Sequence, residues 1–421
     1  LLVVLVMAVS AETRSSLHAP GGALMFGGRA AGLIGTYLLL LMLLLIGRLP
    51  LLERSVGQDR LVRWHRQLGP WPICLLVLHA FLIVLGYAAA DRTGFWHELW
   101  VLLTTYPDVL AAAVGLGLIV LAGVVSFRAA RRRLRYETWW IVHLYTYLAV
   151  ALAFAHQLAN GASFVSHPVN RAIWVAFWLA TAGVVLVYRV GLPLARTFRH
   201  RLRVVEVRAE GPGVISVICS GRHVERLAVS GGQFFQWRFL VRGLWWQAHP
   251  YSLSALPRPP YLRVTVKGLG DQSQALARIP PGTRVGIEGP YGLFTDHARQ
   301  RERVLLVAAG VGVTPIRALL EDLPPQVDVT VILRATRPED LVFRSELVAL
   351  VRSRPNATLH ELVGPRYQVD LDARQLKRLV PDVRHRDLYV CGPAGFTERV
   401  VSAARHLAVP EGRIHMEEFA F

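Results

Sequence analysis
Lysine is almost missing from this chain of 421 residues: it occurs only at Lys267 and Lys377, so arginine carries the positive charge. Cysteine is scarce too, and Cys74, Cys219 and Cys391 form neither a disulfide framework nor a CxxC zinc pair. Acidic residues number 29 against 47 basic ones, a formal net charge of +18. In a soluble protein that excess would raise nucleic acid as a partner. Here the arginines fall in short clusters between apolar segments, where a bilayer accounts for them better, and nucleic acid is set aside. What the sequence has in quantity is apolar length. Most of the first 190 residues are apolar, and the remainder has the composition of a soluble α/β protein.

A segment crosses a bilayer when roughly 20 consecutive residues are mostly apolar. Five qualify, at about 30–47, 66–90, 107–127, 138–158 and 172–191. Residues 1–9, LLVVLVMAV, read as the tail of a sixth, truncated span, with a signal-peptide core as the competing reading. Arginines crowd the loop at 48–66, the loop RAARRRLR at 128–135 and the segment RTFRHRLR after the last span, whereas the intervening loops are nearly neutral. The positive-inside rule makes the basic segments cytoplasmic, and the soluble half with them. The expected location is therefore a bacterial cytoplasmic membrane.

From about 200, short β-branched runs such as RLRVVEV, GVISVIC and LRVTVKG, punctuated by Gly and Pro, predict a small antiparallel barrel. From 303, VLLVAAG, VDVTVILRA and RDLYVCG are buried-type strands alternating with helices, which predicts a parallel nucleotide-binding sheet. The expected fold is a multi-domain membrane protein: an all-α six-helix bundle over 1–197, an antiparallel β-barrel over 198–299, and an α/β parallel-sheet domain over 300–421.

Two spans carry paired histidines, His65 with His79 and His143 with His156. Ionisable residues at membrane depth are costly and usually functional. Spacings of 14 and 13 residues correspond to rises of about 21 and 20 Å along a helix, which places one histidine of each pair near each face of the membrane. The two helices run parallel, so His65 lies level with His143 and His79 with His156. Imidazoles approaching one iron from two sides suit a bis-axial haem, and no CxxCH sequence provides covalent attachment. At about 100° per residue a spacing of 14 nearly returns to one face and a spacing of 13 does not. The second helix must bend, change its winding, or meet the haems at different azimuths. Four separate histidines bonded within the bundle are the other reading.

The WHRQLG…LH and WWIVHLY…AHQ contexts, the spans, and the soluble half that follows resemble the ferric reductase and NADPH oxidase superfamily. That resemblance implies an inner b-type haem on His65 and His143 and an outer one on His79 and His156. It further implies FAD and a nicotinamide cofactor. HPYSLSA at 249–255 resembles the flavin motif of the ferredoxin–NADP reductase fold: His249 on the ribityl–phosphate side, Pro250 as a further cofactor-binding residue, Tyr251 beside the flavin, Ser252 at the hydride-accepting nitrogen. VKGLGDQSQAL at 266–276 is the second element, with Lys267, Gly270 and Ser273 as cofactor-binding residues ahead of and within a helix start suited to a pyrophosphate.

AGVGVTP at 309–315 lacks the GxGxxG fingerprint but resembles the nicotinamide loop of the same fold. Gly310 and Gly312 permit its tight turn, and Thr314 is expected on the pyrophosphate or ribose. Cys391, Gly392 and Pro393 follow a later strand as the family's loop over the hydride-transfer site does. The end of the chain, HMEEFAF, supplies an acid, Glu417, a spacer and a ring, Phe419, with Phe421 as the alternative ring. Ser252, Cys391, Glu417 and Phe419 form the expected catalytic group. Arg334 and Arg337, just past the second strand of the last domain, are the expected 2′-phosphate ligands, which favours NADPH over NADH.

The function implied is electron transfer from cytoplasmic NAD(P)H through FAD and two haems to an external acceptor. Ferric iron is the expected acceptor, because the short outer loops hold Asp91, His97, Glu98, Asp108 and His167. A superoxide-forming oxidase and an electron-supplying subunit for a periplasmic partner protein are the alternatives.

Overall fold
The computed structural model describes residues 1–10, 13–127, 136–268 and 271–418. The chain divides into two compact units, one of residues 1–52 and 58–189, the other of 53–57 and 190–421.

The first unit is helical. Five helices are long and apolar enough to cross a membrane. Its principal helices are α1 (Leu2–Ser10), α2 (Gly22–Leu45), α3 (Gln58–Leu68), α4 (Pro70–Asp91), α5 (Phe95–Thr105), α6 (Val109–Ser126), α7 (Tyr136–Asn160) and α8 (Pro168–Val184). The expected sixth span is present only as α1, nine residues packed on α2 with Val4, Met7 and Ala8 buried. Leu33, Leu40, Ile119, Ala149 and Trp174 form the core. Small residues let the backbones approach, as they do where lipid supplies no hydrophobic drive between helices. A Cβ on Gly28 would lie 3.0 Å from the Ile83 side chain on α4, and one on Gly115 of α6 would lie 2.8 Å from the Ala149 carbonyl oxygen on α7. The segment expected as one span from 66 to 90 starts at a break: α3 ends at Leu68 and α4 begins at Pro70, whose ring has no N–H to give the preceding turn. The basic loop at 128–135 lies outside the described residues.

A π-helical turn, Val185–Gly191, leads from α8 into α9 (Leu192–His200), the first helix of the second unit after the boundary at 190. Two three-stranded antiparallel sheets follow, β1-β2-β5 and β4-β3-β6. The strands are β1 (Arg203–Gly211), β2 (Val214–Ser220), β3 (Phe234–Phe239), β4 (His249–Ser252), β5 (Tyr261–Lys267) and β6 (Val285–Tyr291). Bridges between Leu253 and Val264 and between Arg203 and Arg284 join the sheets at both edges, so the six strands close on themselves. Closure removes the free edges that a flat sheet exposes. Alternation along β3 drives Phe235, Trp237 and Phe239 inward onto Val217, Val264 and Ile287.

The parallel sheet has the order β11-β10-β7-β8-β9, built from β7 (Arg303–Ala309), β8 (Asp328–Ala335), β9 (Ala357–Val363), β10 (Asp387–Gly392) and β11 (Ile414–Glu418). Helices α10 (Val313–Asp322), α11 (Arg344–Arg352) and α12 (Ala394–His406) cover it. Because both faces are covered, the central strands read as continuous apolar runs rather than alternating ones. The order steps outward from β7 in both directions, so the ends of β7 and β10 flank the crevice where ligands bind in such sheets.

Candidate functional site
In the helical unit, α7 places His143 and His156 opposite His65 of α3 and His79 of α4. The ring centroids are 6.2 Å apart in the first pair and 6.5 Å in the second. Two imidazoles on one iron, each with nitrogen about 2 Å from the metal, have centroids roughly 6 Å apart. The expected level pairing is therefore met in both cases. α7 is α-helical throughout Tyr136–Asn160, so the spacing of 13 is absorbed without a change of winding.

The Nδ1 of His79 lies 2.8 Å from the Gly28 carbonyl oxygen, and the Nδ1 of His65 lies 3.3 Å from that of Met42. A carbonyl accepts only from N–H. The neutral rings therefore keep the proton on Nδ1 and leave the Nε2 lone pair for a metal, the usual outer support of a ligating histidine. Trp139 stacks on His143 at 5.2 Å and 23°. Among the described residues no group of three or more His, Cys, Asp or Glu that could hold a metal ion converges. A cavity of about 280 Å³ surrounds His79 and His156. Leu99, Leu102 and Leu103 of α5 and Tyr106 after it line that cavity. The loop at about 91–106, expected to be short, thus contains an eleven-residue helix whose leucines face the cavity. Glu98 on α5 is buried, with Oε2 accepting from the Thr93 hydroxyl at 3.0 Å.

In the second unit, β4 carries HPYS. His249 stacks on Tyr251 at 5.9 Å, and burial pushes the Tyr251 hydroxyl up to about 12. Pro250 pairs with Gln236 at an exposed position of the same strand. Ser252 is buried, and its Oγ lies 3.5 Å from Glu417 Oε1, a long contact between residues 165 positions apart. Glu417 on β11 pairs in register with Cys391 on β10. Burial, and then the Glu417 carboxylate, hold the Cys391 thiol well above its ordinary range, so it stays protonated. Gly312 abuts the same strand end, where a Cβ would lie 2.3 Å from the Cys391 carbonyl oxygen. Only glycine fits there. Gly310 has φ +56°, in the left-handed region. Gly392 ends β10, and Pro393 caps α12. Ser252, Cys391, Glu417 and Gly312 thus converge from four elements. Gly270, Phe419 and Phe421 lie outside the described residues. Lys267 is the exposed end of β5, and Ser273 lies in the short helix Asp271–Ala275.

Two expected ligands already bond within the protein, although Arg334 Nη2 is buried without a hydrogen-bond partner. Thr314 is 1 % exposed and its hydroxyl donates to the Val311 carbonyl at 3.0 Å, closing the turn instead of facing a ligand. Arg334 is 8 % exposed, and its guanidinium donates to the carbonyls of Val369 and Ala335. Because β8 runs on to Ala335 between β7 and β9, Arg334 sits inside the sheet's edge rather than beyond it. Arg337 is exposed and pairs with Asp340 at 3.1 Å and Glu339 at 3.3 Å. Beside Arg334 stand two arginines that the sequence reading passed over, Arg366 after β9 and Arg399 on α12. Burial first, then these neighbours, lower the pKa of Arg334. The available signal was Gly364-Pro365-Arg366 directly after the edge strand β9, a turn that presents a cation at the carboxyl edge of the sheet.

The barrel and the sheet domain are tied by ion pairs. Arg263 of β5 donates to Glu346 of α11 at 2.7 and 2.8 Å and lies 4.5 Å over the Phe343 ring. Arg317 of α10 donates to Glu346 at 2.8 Å and to Glu321.

Residues 31–154 match the family model of the ferric reductase like transmembrane component, and residues 306–402 match that of the oxidoreductase NAD-binding domain. The chain is 30 % identical over 203 residues to an NADPH oxidoreductase of Mycobacterium tuberculosis, covering 45 % of this chain and 52 % of that protein. It is 31 % identical over 232 residues to the NADH oxidoreductase HCR of Escherichia coli, covering 52 % of this chain and 67 % of the relative. The FAD/NAD-binding domain of a nitric oxide dioxygenase from Vibrio cholerae aligns at 26 % identity with a TM-score of 0.45, over 52 % of this chain and 99 % of that one. The chain spans about half the length of most of the curated relatives it matches. With a ferric reductase type of membrane component and an FAD- and NAD-binding reductase in a single polypeptide, the chain belongs to the ferric reductase-like family of oxidoreductases.

Proposed function
We propose that the chain takes electrons from NADPH, with NADH as the alternative donor, and passes them through FAD and two b-type haems across the bilayer to an external ferric chelate. The observation that carries this reading is the double pairing of His65 with His143 and of His79 with His156, in a chain that also holds the reductase. When bound, FAD converts a two-electron donor into one-electron steps that haem iron accepts.

The chain's own residues have distinct tasks. His65, His79, His143 and His156 present Nε2 atoms, two of them oriented by carbonyls of α2. Tyr251 and His249 form a flat stacked wall beside the flavin site. The Ser252 hydroxyl can give a hydrogen bond to the flavin ring, and the Glu417 carboxylate beside it can hold the proton that accompanies hydride transfer. Cys391 and Gly312 close the other side and keep water out. Arginines in the loop at 48–66 and in α9 favour a cytoplasmic reductase.

The test uses purified protein in detergent with added FAD. A pyridine haemochrome assay should find two haems per chain, and NADPH should support reduction of a ferric chelate without oxygen. One haem or none would overturn the histidine pairing. A second reading, superoxide formation, is favoured by α5, whose leucines face the cavity around His79 and His156 and suit a small acceptor. Reducing the protein anaerobically and then adding chelate or oxygen separately decides between them. If oxygen reoxidises the protein much the faster and superoxide accounts for the electrons, the ferric reading is wrong.

A further inference from the structure
The last membrane helix is too long for the membrane. Pro168–His200 is an apolar helical stretch of 33 residues, whereas roughly 20 residues span the hydrocarbon core. About 13 residues, including all of α9, are left over. That remainder is amphipathic: Leu194 and Phe198, four residues apart and so on one helix face, are 51 % and 70 % exposed. Around them stand Arg196, Arg199 and Arg201, and residues 189–203 contain no acid.

A second apolar element adjoins α9. The helix lies across β6, where a Cβ on Gly286 would lie 3.2 Å from Thr197 Oγ1 and 3.9 Å from the Arg238 Cβ of β3. Beyond β3 the loop at 240–248 leaves the barrel, its first residue still bonded to Arg284 before β6 at 2.9 Å. In this loop Leu240 and Trp245 are 41 % and 59 % exposed, flanked by the exposed Arg238 and Arg242. Residues 236–248 also lack any acid. Trp, Leu and Phe exposed among arginines, with no carboxylate between them, have the composition of a surface that enters an anionic lipid interface.

We propose that the flavin barrel docks on the bilayer itself, with Leu240 and Trp245 joining Leu194 and Phe198 at the level of anionic headgroups. The occupant is lipid rather than a protein partner because α9 is a continuation of the membrane helix and the charges carried by the two segments are all positive. The inference rests on the membrane reading of the chain. It makes the lipid surface a second attachment of the reductase, in addition to the polypeptide link.

The test places the full chain in nanodiscs whose lipids carry bromine near the headgroup and compares Trp fluorescence with that in ordinary lipid. Wild-type protein, Trp245→Phe and Trp100→Phe are measured, Trp100 being an exposed residue of α5 at 68 %. Bromolipid should quench the wild type, and part of that loss should disappear in each variant. Arg238→Glu with Arg242→Glu should remove the Trp245 component in anionic but not in zwitterionic discs. If Trp100→Phe removes part of the quenching and Trp245→Phe does not, the docking surface is refuted and the membrane reading stands. If neither variant changes the quenching, both fail. A Trp245 shielded from iodide but not quenched by bromolipid is covered by protein, which also refutes the proposal.

Discussion
The ring of His79 is held against the backbone of α2: its Nδ1 lies 2.8 Å from the Gly28 carbonyl oxygen, and a Cβ on Gly32 would lie 2.7 Å from the same nitrogen. Gly28 supplies the orienting acceptor, and Gly32 supplies the room. Gly32→Val should therefore displace the ring and remove mainly the outer haem, taking the haemochrome count from two per chain towards one. His79→Leu should do the same, while His65→Leu should remove mainly the inner haem. A Gly32→Val protein with both haems and unchanged midpoint potentials would show that the His79 ring does not depend on this contact.

Glu346 joins the barrel to the sheet domain through Arg263 and Arg317. Burial alone would raise its carboxyl, but the two arginines outweigh it and hold the pKa below the ordinary 4.5. A depressed carboxylate contributes stability that is present above its unfolded value and lost as pH falls through the folded one. The melting temperature of the reductase should thus decline below about pH 4.5, and Glu346→Gln should flatten that decline. At neutral pH, Glu346→Ala leaves Arg263 without its carboxylate and Arg317, which is 5 % exposed, with Glu321 alone, and should cost about 2 kcal/mol. Thermal melts of wild type and both variants across pH 3–7 give the answer; parallel curves would rule out the linkage.

For the nicotinamide, Arg366 and Arg399 are the accessible cations of the cluster around Arg334. A charge-assisted hydrogen bond to phosphate contributes about 1.5–3 kcal/mol, so Arg366→Ala should raise the KM for NADPH by roughly tenfold or more and leave that for NADH nearly unchanged. Arg334→Ala should instead lower stability, since its guanidinium holds the carbonyls of Val369 and Ala335. Equal NADPH and NADH efficiencies that Arg366→Ala does not alter would remove the argument.

At the proposed hydride-transfer site, Glu417→Gln should slow reduction of bound FAD by NADPH by about 10²-fold, the order expected when a positioned group that relays a proton to the flavin is lost. Ser252→Ala should act in the same direction, because the two side chains meet at 3.5 Å. Stopped-flow flavin bleaching at full FAD occupancy measures this step apart from later ones. Unchanged rates in both variants would leave the pair a structural contact only.

Much of the architecture was legible because its signals are local and periodic. Apolar length marked the spans, and β-branched alternation marked the barrel. The histidine spacing gave the level pairing, since rise per residue is fixed in any helix. Arg334 was misplaced for a reason of register: whether an arginine at a strand end faces solvent depends on how far the neighbours β7 and β9 extend, which one strand's sequence does not state. For Thr314 the sequence is ambiguous in a similar way, as a hydroxyl one turn into a helix can face a ligand or close its own turn. α5 was invisible as a span because eleven residues are too few, and Trp96 and Trp100 read equally well as interfacial loop residues.

That helix separates two kinds of change open to the protein. The four histidines and their carbonyl supports lie on α2, α3, α4 and α7, whereas Leu99, Leu102 and Leu103 belong to a connection between spans. On the proposed reading, trimming or enlarging those leucines should alter what can approach the electron exit and leave the supply of electrons untouched. Acceptor choice would then be open to drift, loss or re-engineering within eleven residues, while the wiring behind it stays constant.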